Sequence, residues 1–122
     1  LVKKVWTVST AQWDGVTKYD KAGTANVVQG YSQYKLDLST AGSVTLTEFD
    51  GKIFTGTYTV ATDGLSLTLN GLTSAEGAPT GTGGTITYTI LSTPTATGLS
   101  LQQTAAYVKA SSAIVKLVLV NP

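Results

Sequence analysis

The carboxylates Glu48 and Asp50 are the first side chains of this chain to consider for chemistry. The sequence has no His, no Cys and no Arg, so the commonest general base and the strongest nucleophile are both absent. Glu48 continues the apolar alternation of Val44 and Leu46, which predicts an inward carboxylate that could orient a ligand or act as an acid. The alternative is that Glu48 lies at a rim or a bulge that turns Phe49 inward, because carboxylates are seldom buried unless paired. We expect no enzymatic activity.

Three Asp-Gly pairs and one glycine-rich stretch are the remaining candidates for ion binding. The pairs begin at Asp14, Asp50 and Asp63, too far apart for one calcium loop, and both residue types favour tight turns. The stretch 81–84 precedes a strand, so it lacks the helix N-terminus that binds phosphate. We expect turns here, and neither a metal nor a cofactor.

The elements that must position these residues follow from a period-two pattern between Tyr34 and Leu91. Apolar and polar residues alternate in short runs joined by Asp-Gly turns, which predicts antiparallel hairpins. The whole chain reads as about eight strands, at residues 2–11, 32–39, 43–49, 52–61, 65–70, 85–91, 99–104 and 113–120. Residues 12–30 lack alternation and predict a long loop that caps one end of the sheet, with a helical turn near 16–21.

The last predicted strand is apolar on both faces, from Ile114 to Val120. Left at an open edge, such a strand would be a template for aggregation. Pairing it with the first strand removes both edges and closes the meander into a barrel. The fold class is therefore all-β, an up-and-down antiparallel meander of about eight strands closed into a barrel, with an open β-sandwich as the alternative.

Composition points to one domain, residues 1–122, and excludes some partners. Charged residues make up 12%, and the net charge of +1 offers no footprint for nucleic acid. No apolar run reaches the ~20 residues of a transmembrane helix. The high Thr content and a start without Met favour a secreted or cell-envelope protein (periplasmic or extracellular) whose upstream targeting segment has been removed, with a lipid anchor in that segment as one option.

The segment 49–58, Phe-Asp-Gly-Lys-Ile-Phe-Thr-Gly-Thr-Tyr, together with Leu65, Leu67 and Leu69, resembles the lipocalin-like (calycin) barrels of secreted and lipid-anchored bacterial proteins. The resemblance implies a tryptophan on the first strand, here Trp6, although Lys4 stands where the family usually has Gly. It also implies a cation from the last strand across that ring. With no Arg available, Lys116 is the candidate for this barrel-end contact, and a core position for Trp6 is the alternative.

The aromatic residues divide into two groups. Those on inward alternation faces either line a pocket or fill the barrel completely. The candidates for lining a ligand pocket are Tyr34, Leu36, Phe54, Tyr58, Leu67, Tyr88 and Leu101. Trp13, Tyr19 and Tyr31 lie in or beside the long first loop. There they form a packed cap, a ligand gate, or an exposed aromatic platform for a sugar or a partner protein.

Two functions remain open at the level of sequence. The resemblance implies a non-enzymatic secreted module that holds a small hydrophobic ligand in its barrel. The alternative is a solid-core structural or interaction domain that contacts a partner protein or a glycan through its loops. A cavity inside the barrel would distinguish the two.

Overall fold

The computed structural model describes residues 3–23, 28–74, 77, 84–107 and 110–121, and nearly all of their regular structure is β. The strands are β1 Val5–Trp13, β2 Val16–Asp20, β3 Lys35–Asp37, β4 Ser43–Thr47, β5 Ile53–Val60, β6 Ser66–Thr73, β7 Ile86–Ile90, β8 Gly98–Gln103 and β9 Val115–Val120. One short 3-10 helix, Gln29–Gln33, lies between β2 and β3. None of the helices among the described residues has the length and hydropathy of a membrane span.

Eight of the nine strands form a closed antiparallel meander. Neighbours pair in the order β1-β3-β4-β5-β6-β7-β8-β9, and β9 returns to pair with β1 from Thr7↔Val120 to Trp13↔Val115. The doubly apolar β9 is thus covered by a strand on each side. Its Val115, Leu117 and Leu119 point into the barrel and are buried. The predicted fold class, a closed meander of about eight strands, is confirmed.

The ninth strand, β2, lies within residues 12–30, where the sequence predicts a long loop, so that prediction is wrong for this part of the segment. Asp14 and Gly15 both adopt positive φ, at 50° and 82°, and turn the chain back so that β2 pairs with the second half of β1. The first half of β1 pairs with β3 instead, so one edge of β1 serves two strands. The helical turn predicted near 16–21 is wrong, because β2 occupies most of that segment. The 3-10 helix lies further along the chain, at residues 29–33.

The side chains that point inward fill the middle of the barrel. Eight of them, contributed by six strands, are 0% exposed: Trp6, Ala11, Leu36, Leu46, Leu67, Leu69, Leu101 and Leu119. A cavity wide enough for water would expose part of the side chains that line it, so none adjoins these eight. Leucine and aromatic side chains from opposite walls thus form one packed core.

Strand direction places the connections in two sets. One end of the barrel, called here the aromatic end, holds the turn at Asp14 and Gly15, the 3-10 helix, residues 48–52, and the described residues between β8 and β9, which are 104–107 and 110–114. Residues 38–42, 61–65 and 91–97 lie at the opposite end.

Candidate functional site

The aromatic end is closed by a cluster of five aromatic rings. Tyr31, on the 3-10 helix, is central to it: its ring centroid is 5.0 Å from Phe49, 5.9 Å from Tyr34 and 6.1 Å from Tyr19. Trp13, at the end of β1, packs 5.9 Å from Phe49 and donates its Nε1 hydrogen to the Tyr31 hydroxyl at 2.9 Å. Tilted ring pairs at such distances are favourable beyond the area that they bury.

The predicted loop aromatics therefore come together as a cap. Tyr19 and Tyr31 are buried, whereas Trp13 is half-buried and carries Lys18 at 5.7 Å from its ring. A glycine holds the 3-10 helix against the turn at 48–52, since a Cβ on Gly30 would collide with the Phe49 carbonyl oxygen. The Gln33 side chain also donates to that oxygen, at 2.9 Å. The cap is thus held to the barrel at Phe49. A role of Trp13, Tyr19 and Tyr31 as a ligand gate stays a prediction.

Beneath the cap lies a buried polar cluster built around Glu48. This carboxylate is 3% exposed and accepts a short hydrogen bond from the hydroxyl of Tyr107. Tyr34 and Tyr88 are buried beside it, and Gln103 interacts with the Tyr88 hydroxyl. Glu48 is buried as predicted, although it lies at the barrel end where the turn 48–52 begins, and Phe49 packs against the core there. The tyrosine hydroxyl supplies the donor that burial of a carboxylate requires.

The four tyrosines of this end are held in their protonated form. Burial raises the pKa of Tyr31, Tyr34, Tyr88 and Tyr107 above the ordinary value, and the negative charge of Glu48 adds to each shift. Their hydroxyls are thus available as donors over a wide pH range.

The hydroxyl of Tyr34 is a buried polar atom left over by this network. Tyr34 is 2% exposed, and its hydroxyl has no hydrogen-bond partner among the described residues. The Tyr88 hydroxyl lies beside it, and the contact between the two hydroxyls contributes to the pKa shift of both tyrosines. Burial of a hydroxyl that is poorly hydrogen-bonded is costly.

Tyr107 reaches Glu48 from the connection between β8 and β9. A bridge between Tyr107 and Ala113 holds this connection, and its turn places Ser111 and Ser112 at φ of 54° and 61°. Left-handed conformations cost about 1–2 kcal/mol per non-glycine residue. The buried hydrogen bond to Glu48 helps to offset that strain.

The predicted lining residues all lie on the inward face, but they do not surround a space along the barrel. Leu36, Leu67 and Leu101 are 0% exposed. Phe54 is buried near them, while Tyr58 is half-buried and donates to the Leu38 carbonyl oxygen at 3.2 Å. Tyr34 and Tyr88 belong instead to the cluster around Glu48. Their role in binding a ligand stays a prediction.

The predicted contact between Trp6 and Lys116 is wrong. Trp6 points inward, near the start of β1, and pairs with Leu36. Lys116 points outward and pairs with Gln12, six residues further along β1 and therefore about 20 Å away. The alternative, a core position for Trp6, is correct.

Sequence reasoning missed Tyr107 and Gln103 as members of the site. Gln103 continues the inward alternation of Leu99 and Leu101, so its parity alone could have indicated it. Tyr107 lies in a connection without periodicity, and nothing in the sequence indicates that it folds back onto Glu48.

Comparison with known proteins supports the fold alone. No protein-family model and no curated protein matches the chain. A crystal structure of an uncharacterized protein from Bacteroides eggerthii DSM 20697 is similar over 98% of both chains, with a TM-score of 0.55 and 14% sequence identity. The resemblance to lipocalin-like proteins is not confirmed by these comparisons.

Proposed function

We propose that this protein is a non-enzymatic binding module that contacts its partner at the aromatic end and holds no hydrophobic ligand inside the barrel. The observation that carries this proposal is the 0% exposure of the eight inward side chains in the wall. A ligand in the barrel would have to displace leucines and Trp6 from close packing, which costs more than a preformed pocket would.

The aromatic end, unlike the filled interior, presents a surface that a partner can contact. Trp13 and Phe49 are half-buried at its surface, and side chains of this kind are frequent anchors of binding sites. Trp13 and Phe49 both contact Tyr31, whose ring packs against Tyr34. A partner would therefore contact a rigid surface. The chemistry of the end argues against catalysis, because Asp50 belongs to the turn, where its side chain accepts from the Lys52 backbone N–H at 3.0 Å.

The low charge and the Thr-rich outer strand faces support a further part of the proposal, that the protein works outside the cytoplasm or in the cell envelope. An exterior of uncharged hydroxyls suits a binding module that is exposed to solvent there.

A titration with apolar ligands tests the proposal. The chain has two tryptophans, so Trp13→Phe leaves Trp6 as the single reporter in the barrel wall. We expect that a fluorescent fatty-acid analogue leaves the Trp6 emission unchanged and shows no saturable binding. One-to-one binding that unlabelled fatty acid displaces, together with a change in Trp6 emission, would favour the hydrophobic-ligand function and overturn the proposal.

A further inference from the structure

A groove of about 160 Å³ opens at the aromatic end, where the paired part of β7 and β8 stops. Its rim carries the exposed Thr85 and Thr104 and the half-buried Thr87. Its floor includes Gln103 and Tyr107, which are only 5% and 4% exposed and belong to the cluster around Glu48. The groove therefore leads from the surface to the one buried polar region described above.

Among the residues that the structure describes, the lining of the groove holds no acidic or basic side chain. The Thr104 hydroxyl donates to the Thr87 carbonyl oxygen at 3.4 Å and can still accept a hydrogen bond. The Gln103 amide, which also interacts with the Tyr88 hydroxyl, can both donate and accept. Tyr107 is 4% exposed and its hydroxyl is directed at Glu48, so it contributes only a small part of its ring to the floor of the groove. Such a surface matches a neutral ligand that carries several hydroxyl groups and one apolar face.

The volume of the groove also limits the size of the ligand that it can hold. A volume of 160 Å³ holds about five water molecules at the volume that each has in the liquid, which is the scale of a single sugar ring. Behind the floor, Tyr34 and Tyr88 lie in the same polar cluster as Gln103 and Tyr107. The threonine hydroxyls at the rim favour a polar ligand over an apolar one.

We propose that the groove between β7 and the residues after β8 binds one neutral monosaccharide unit. Thr87, Thr104 and Gln103 form hydrogen bonds with the sugar, and the sugar packs against the ring of Tyr107. This inference rests on the proposed function, since it names the ligand class that the aromatic end recognises. The absence of charge in the lining predicts that acidic sugars bind more weakly than neutral ones.

Saturation-transfer NMR with galactose, glucose, mannose and N-acetylglucosamine tests this site. We expect at least one of these sugars to bind the wild-type protein at millimolar concentration, and glucuronate to bind less. The double variant Thr87→Val/Thr104→Val removes two hydroxyls at nearly constant shape and should weaken binding about tenfold. Thr89→Val, the next outward position on β7, is the matched control and should bind as the wild type does.

A second variant tests the site without removing a hydrogen bond. Ala106 is exposed on the groove lining, so Ala106→Trp should fill the groove, abolish binding and leave the fold intact. Binding that survives both Ala106→Trp and the double threonine variant would overturn the inference, as would the absence of binding by all four sugars. Either result leaves the proposed function standing as long as the apolar titration shows no ligand inside the barrel.

Discussion

A carboxylate buried in a barrel of leucines is the most informative residue of this protein. Glu48 is 3% exposed, and burial of an ionisable group is costly unless donors compensate it. Tyr107 provides one such donor across 59 residues of sequence, and so ties the connection 104–114 to the turn at 48–52. One hydrogen bond thus links the polar cluster to the closure of the aromatic end.

Tyr107→Phe should lower the free energy of unfolding by about 1–3 kcal/mol, because Glu48 then loses a buried donor. Tyr58→Phe is the matched control, since its hydroxyl bond to Leu38 is only partly buried, and it should cost less than about 1 kcal/mol. Urea denaturation of both variants measures the two costs. Equal costs would contradict a special role for the Glu48 pair.

At the scale of elements, the 3-10 helix determines how the aromatic cap sits on the barrel. It carries Tyr31, and Gly30 allows it to approach the Phe49 carbonyl oxygen more closely than any side chain would permit. The hairpin of β1 and β2 brings Trp13 and Tyr19 to the same place. The cap is therefore assembled from three separate segments.

Gly30→Ala should push the helix away from Phe49 and destabilise the protein by about 1–3 kcal/mol, as overpacking typically does. Gly98→Ala is the control, because a Cβ there would meet only the Thr95 hydroxyl oxygen at 3.3 Å. Thermal unfolding followed by circular dichroism compares the two. A wild-type melting temperature for Gly30→Ala would contradict the close approach.

The sequence carried more information about strands than about the site. Alternation and the Asp-Gly turns predicted the meander, and the apolar character of β9 predicted its closure, because both depend on local pattern and on the cost of a free edge. The pairing of β2 with β1 and the contact of Tyr107 with Glu48 depend on tertiary packing, which local pattern does not record. For the same reason the contact proposed between Trp6 and Lys116 failed, since the strand register decides it.

At the scale of the whole molecule, four buried tyrosines couple stability to alkaline pH. Folding raises the pKa of Tyr31, Tyr34, Tyr88 and Tyr107 above that of the unfolded chain, near 10. The folded state therefore keeps protons that the unfolded state releases. Their stabilising contribution is complete below about pH 10 and is lost as the pH rises through the folded-state pKa values.

Each such tyrosine lowers the stability by about 1.4 kcal/mol per pH unit above pH 10, so four lower it by about 5 kcal/mol per unit. A domain of ordinary stability, about 5–15 kcal/mol, should then unfold cooperatively within about three units. Far-ultraviolet circular dichroism and tyrosinate absorbance should change together. Full ionisation of all six tyrosines in a protein that keeps its β signal would contradict this coupling.

Tyr34→Phe is the control for this pH dependence. It removes a hydroxyl without a hydrogen-bond partner among the described residues, so it should be neutral or stabilising at pH 7. It should also reduce the slope above pH 10 by about one quarter, because one of the four shifted groups is lost. A slope equal to that of the wild type would argue against the assignment of Tyr34 to the set.

The central claim is that the middle of the barrel is filled and that binding occurs at its aromatic end. Crystals pressurised with xenon test it most directly, because xenon enters apolar cavities that water leaves empty. The 0% exposure of Leu36, Leu67 and Leu101 predicts no xenon between the barrel walls. An ordered xenon atom among these three leucines would reveal a lumenal cavity and contradict the account.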